Sequence, residues 1–221
     1  MRVAVLALVV AIAMTSAPGA TGGDARRAIV PADQARAASI VVDKADLATG
    51  FVRAKSVTEH GFDCAALDES DLVITGEARR LYVLRRRDLY VTVGSWAVLY
   101  ADPHQSALSW RRASSAAGLA CFRRETARDL ARDGLRIVSM TRQHVERPAP
   151  RTLALRLVLA PKGSAARFYY DIVLLSRGRA QAAVGVMAAG TPVPDRDRAG
   201  FSRLVAGRIA KALGAASGPT A

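Results

Sequence analysis

An α+β fold is predicted, a curved antiparallel sheet (a meander) with about three helices packed against it, and three observations predict it. Strand-like stretches rich in Val, Ile, Leu and Tyr gather over 71–100 and again over 135–188. A helical region lies between them, and a last helical stripe follows the second cluster. Helices are thus segregated from strands, which disfavours a doubly wound sheet. Apolar residues make up 51% of the chain and aromatics only 5%, so a core is available and must be built from Val, Leu, Ile and Ala.

Taken in order, Asp71 to Thr75 reads as a short strand ending at Gly76, with Arg79 to Leu84 as its partner across Gly76-Glu77. Leu89 to Tyr100 is a long strand. Alternation places Tyr90, Thr92, Trp96, Val98 and Tyr100 on one side and Val91, Val93, Ala97 and Leu99 on the other. Both sides are apolar, so this strand is expected to be covered on both faces or bent at Gly94. Asp102-Pro103 opens a helix with an acidic cap and a proline in the first turn. Gly118 is expected to break it. A second helix then runs from about Leu119 to Asp133, burying Leu119, Phe122, Thr126 and Leu130 and ending at Gly134. Four strands are expected next: Leu135 to Val145, Thr152 to Ala160, Arg167 to Leu175 and Arg179 to Ala188. Short Pro- and Gly-bearing breaks between them predict an antiparallel meander. A final helix from about Arg198 to Leu213 puts Phe201, Leu204, Val205, Ile209 and Leu213 on one face.

The N-terminus predicts the compartment. Arg2, an apolar run from Val3 to Met14 and a small-residue exit read as a signal peptide over 1–20, cleaved near Ala20. The run is too short to span a bilayer, which takes about 20 residues. Residues 21–38, rich in Gly, Ala, Asp and Arg, read as a flexible arm; 39–214 as one domain; and 215–221 as a disordered tail. No later segment resembles a membrane span. Two cysteines in an exported chain predict one disulfide, Cys64–Cys121.

The chemistry-bearing residues are sparse. His60, His104 and His144 are far apart, with no ligand neighbour at helical spacing, so neither a metal site nor a catalytic site is expected. No nucleophile elbow, phosphate-binding loop or dinucleotide fingerprint occurs, so no cofactor is expected. Asp68, Glu69 and Ser70 read as turn chemistry. The net charge of +13 is almost all arginine. Its sharpest concentration is Arg79, Arg80, Arg85, Arg86 and Arg87. These read either as an anion-binding hairpin or as charge that protects an edge strand against sheet-to-sheet pairing. Trp96, Tyr100 and Trp110 are candidate ligand platforms, with plain core packing as the competing reading.

Phe62-Asp63-Cys64, Asp71-Leu-Val-Ile-Thr-Gly76, Leu119-Ala-Cys121-Phe-Arg-Arg and Arg167-Phe-Tyr-Tyr-Asp-Ile-Val-Leu-Leu-Ser-Arg-Gly178-Arg-Ala together carry a resemblance. The chain from Ser39 to Leu213 resembles secreted actinobacterial-type proteins related to the extracellular sensor domains of PknH-type kinases. More distantly it resembles PsbP-like and LpqN-type envelope proteins. The resemblance implies a curved antiparallel sheet with helices against it and a cleft able to hold a ligand. Those sensor domains carry two disulfides, and this chain has cysteines for one. No ligand-binding residue is carried over. The expected role is a non-catalytic, exported binding or sensor-like module of the cell envelope, taking a small molecule or envelope component. Nucleic acid is disfavoured by export. The alternatives are docking of the basic surface to an acidic envelope polymer or lipid head group, and a hydrolase whose site assembles from distant residues.

Overall fold

The strand β4 (Leu89–Tyr100) organises the fold. It pairs antiparallel with β3 (Val73–Arg86) on one side and β8 (Ala180–Ala189) on the other. Its Val93, Ala97 and Leu99 enter one apolar layer, and its Trp96, Val98 and Tyr100 enter a second. That is the alternation read from the sequence, and it requires cover on both faces. The computed structural model describes residues 25–55, 64–86 and 89–214. The expected leader, the tail, His60 and Arg87 lie outside them.

The predicted meander is present: β5 (Leu135–Gln143), β6 (Arg151–Pro161), β7 (Phe168–Arg177) and β8 pair in sequence order, all antiparallel. Two short strands complete the sheet, giving the order β1-β3-β4-β8-β7-β6-β5. β1 (Arg26–Arg27) is parallel to β3, and β2 (Val52–Arg53) lies antiparallel along it. The helices α2 (Pro103–Ser114) and α3 (Ala116–Arg132) cover one face, where Leu119, Phe122 and Leu130 meet Leu155, Leu157 and Leu159. On the other face α1 (Pro31–Ile40) and α4 (Asp195–Gly214) bury Ala37, Ile40, Val205 and Ile209 against Val173, Val184 and Leu99. The fold is therefore α+β, with helices on both faces of one sheet. Cys64 and Cys121 are bonded, with their Cα atoms 6.4 Å apart, and tie the short 3-10 turn Ala65–Leu67 to α3.

Three expectations are corrected. The arm expected over 21–38 is, in its described part, a strand and a helix. Pro31 occupies the first helical turn, where its fixed φ favours helix and its missing N–H costs nothing. Alanine then sustains the helix. Its inward face holds little beyond Ala37 and Ile40, too weak a period to stand out. Gly76 is not a turn. β3 runs straight through it as one strand, with a bulge between Ile74 and Gly76. A glycine is needed there because a Cβ would strike the Asp33 carbonyl and approach the Gln34 nitrogen at 2.8 Å.

Nor does Gly118 break the helical pair. The break is at Ser115, whose N–H donates to the carbonyls of Arg111 and Arg112 and whose Oγ caps α3 by accepting from Gly118 N–H at 2.9 Å. Gly118 lies inside α3, with the Arg112 carbonyl oxygen where a Cβ would go. Gly118→Ala should accordingly lower stability by roughly 1–3 kcal/mol, because the clash is with backbone and cannot be relieved by a rotamer change. Urea denaturation checks it; an unchanged midpoint would show that α2 can move away freely.

Candidate functional site

Among the buried polar clusters of the described residues, three are built on a carboxylate that holds an element in place. The first sits where α1 meets the sheet. The Asp33 carboxylate accepts from both terminal nitrogens of Arg179 at 2.5 and 2.6 Å, from Arg36 at 2.8 Å and from the Thr75 hydroxyl at 2.7 Å. The Arg179 guanidinium in particular holds the Asp33 carboxyl well below the usual carboxylate range. Beside it the Gln34 side chain donates to the Glu77 carbonyl and accepts from Glu77 N–H, so α1 completes the edge of β3 with a side-chain amide.

The second cluster joins β7, β6 and α4. Asp171 is 1% exposed and receives Arg156 in a two-pronged contact at 2.8 and 3.0 Å, with Arg198 at 3.4 Å. Arg198 also reaches Asp195 at 3.0 Å, which fixes the first turn of α4 over the sheet.

The third cluster is Glu69, Tyr100 and Ser109, all buried. Tyr100 Oη lies 3.2 Å from Glu69 Oε2 and 2.8 Å from Ser109 Oγ, and Ser109 donates to Glu69 Oε1. Burial pushes the Glu69 carboxyl up to about 7, against the two hydroxyl donors. Arg112 is close by but spent on Asp71, in contacts of 2.6 and 2.8 Å. Glu69 was read from sequence as a turn residue. Its place under α2 follows from long-range packing, and no local signal marked it.

A cleft of about 610 Å³ lies between the sheet and α4. Val91 and Val93 of β4 and Val186 and Ala188 of β8 form its floor. Leu47 and Phe51 from the loop before β2, Val193 from the loop before α4, and Phe201 and Leu204 from α4 close its sides. Asp46, Arg196 and Asp197 are the charged residues at its rim, and Asp46 is already matched by two 2.8 Å contacts from Arg208. A volume of this size with apolar walls and few polar groups suits a small apolar ligand.

None of the described site candidates, Trp96, Tyr100, Trp110, Arg79, Arg80, Arg85 and Arg86, lines this cleft. Trp96 and Tyr100 are 3% and 1% exposed and pack with Val98 and Leu108 in the layer under α2. Trp110 is half-buried on α2. For Trp96 and Tyr100 the proposed aromatic platform is therefore corrected to core packing, because the even-numbered face of β4 is the one that α2 covers. The arginine run is also dispersed, since alternation sends neighbours to opposite sides. Arg80 pairs with Asp43, Arg86 donates to the Thr49 carbonyl at 3.2 Å, and Arg85 stacks on Tyr90 at 5.6 Å. His104 and His144 are exposed. Among the described residues no cluster of three His, Cys, Asp or Glu is placed to hold a metal. The cleft was missed because its lining comes from four separated segments, none with a motif.

No family model and no curated protein matches the chain. Among solved structures, the Saccharomyces cerevisiae Ran-binding protein Mog1p is similar over 75% of this chain and 85% of its own, at 10% identity and a TM-score of 0.29. A mutant of the protein Mog1 is similar over 79% and 90%, at 10% identity and a TM-score of 0.30. Neither likeness bears on the residues of the cleft.

Proposed function

We propose that this chain is a non-catalytic, exported binding module of the cell envelope whose ligand is a small apolar molecule held between the sheet and α4. The cleft carries the reading: its floor is valine and alanine, and its mouth holds a few charges. The three buried polar clusters support binding over catalysis, because each carboxylate is occupied by groups that anchor a helix or strap. The leader-like N-terminus and the Cys64–Cys121 bond support export, since disulfides persist in oxidising compartments. Among the described residues no helix is long and apolar enough to cross a membrane.

The uncharged fluorophore N-phenyl-1-naphthylamine tests the site. It should bind with an affinity that does not fall as salt is raised, because burial of apolar surface is not screened. Ala188→Phe fills the cleft from the sheet and should weaken binding at least tenfold. Gly200→Phe fills it from α4, where a new Cβ meets nothing within 4 Å. Saturable binding that both variants retain would place the ligand elsewhere.

A further inference from the structure

We infer that the strap of residues 64–72 is a pH-sensitive latch, closed over the corner of α2 and α3 while Glu69 is protonated and released when Glu69 ionises. Side chains attach the strap to the body. Among the described residues, the backbone hydrogen bonds over 65–71 stay within the strap. Leu67 N–H donates to the Cys64 carbonyl, Asp68 N–H to the Ala65 carbonyl, and Leu72 N–H to the Glu69 carbonyl. Cys64 is bonded to Cys121, and Leu67 packs with Cys121, Phe122 and Ala113. Asp71 meets Arg112, but its carboxylate is half exposed, and an exposed ion pair is worth at most about 1 kcal/mol. Glu69 is the buried polar side chain of the strap, 4% exposed and held by Tyr100 and Ser109.

The groups around the Glu69 carboxyl make its ionisation costly. β4 presents the Tyr100 hydroxyl, α2 presents the Ser109 hydroxyl and Arg112, and the strap itself carries Asp68 and Asp71. α3 contributes Cys121 beneath the strap, which is bonded and does not titrate. Arg112 is spent on Asp71, and Asp68 accepts from Ser70 N–H at 2.9 Å. An ionised carboxylate is better placed in water than among two hydroxyls in an apolar layer, and it reaches water when the strap lifts. Lifting uncovers the apolar contact of Leu67 with Phe122 and Ala113, while the disulfide keeps the strap tethered to α3. Burial raises the carboxyl from 4.5 to about 7, so opening grows about tenfold per pH unit between those values and levels off above them.

Amide hydrogen exchange tests the latch, each rate taken relative to that of the unfolded sequence at the same pH. In the parent, protection at Leu67, Asp68 and Leu72 should fall at least tenfold between about pH 5 and pH 7.5 and then level off. It should also lie at least tenfold below the protection of Val173 and Val184 in the core strands, and resist urea below the unfolding transition, because the opening is local. In Glu69→Gln the strap should keep its acid-side protection throughout. Ser109→Ala withdraws a donor from the ionised carboxylate and should carry the fall to higher pH. Strap protection equal to that of Val173 and Val184 would show that the strap leaves only with the whole fold. A parent-like fall in Glu69→Gln, or a profile that Ser109→Ala leaves unmoved, would assign the pH effect to another group. Each of these results overturns the latch. None depends on the apolar cleft, which lies on the opposite face of the sheet and which the uncharged fluorophore reports separately.

Discussion

Asp33→Ala should destabilise the protein by about 2–4 kcal/mol, the cost of leaving the half-buried Arg179 cation without its partner, reduced by the access that Arg179 keeps to solvent. Asp33 is 5% exposed and gathers four donors from three elements, so its removal strands Arg179 among Thr75 and the Tyr100 carbonyl. It also loosens α1, whose Ala37 and Ile40 are fully buried against the sheet. For a domain of this size the loss is roughly 10 °C in melting temperature. Asp33→Asn should fail to rescue it, because an amide cannot neutralise Arg179. The double variant Asp33→Leu/Arg179→Met should recover much of the loss, since an apolar pair of similar volume needs no charge balance. The pH sign is fixed by the direction of the shift. The folded carboxyl is held below its ordinary value of 3.8, so its contribution is complete above that value and fades as pH falls toward the folded one. Thermal melts at neutral pH decide the point: a loss below about 1 kcal/mol in Asp33→Ala would show that the cluster is solvated and that α1 is held by apolar contact alone.

The elements legible in the sequence were those whose pattern is local. β4 alternates strictly, Asp102-Pro103 is a cap and first turn in adjacent residues, and the four meander strands are separated by Pro and Gly. What escaped was set by contacts far along the chain. α1 looks like a polar arm until Gly76, some forty residues later, lets its first turn lie flat on β3. Gly118 reads as a helix breaker, yet its role is close approach to Arg112 within a helical corner. The arginine run reads as one patch, but a strand sends successive side chains to opposite faces, and Arg80, Arg85 and Arg86 meet Asp43, Tyr90 and the Thr49 carbonyl separately.

Glu69→Gln should stabilise the protein above pH 7 by about 3 kcal/mol and flatten its pH dependence between about 4.5 and 7. Burial raises the Glu69 carboxyl from 4.5 to about 7, and each pKa unit is worth ~1.36 kcal/mol. Between those values the folded protein keeps a proton that the unfolded chain has lost. The contribution is therefore complete below pH 4.5 and is lost as pH rises through 7. The geometry gives the reason. With Glu69 protonated, its own O–H can reach the Tyr100 oxygen, Tyr100 donates to Ser109, and Ser109 donates back to Glu69 Oε1, so each group gives and accepts once. Ionised, the carboxylate loses that donor and keeps a charge in the apolar layer beneath α2. Among the described residues the cation near it, Arg112, is committed to Asp71. Glutamine carries a donor and an acceptor on the same frame and reproduces the neutral ring at every pH. Urea denaturation of both proteins from pH 5 to pH 9 measures the difference. The two should converge at the acid end and diverge as pH rises. A constant offset across that range would mean that Glu69 titrates at its ordinary value, and that the pocket beneath α2 is wet.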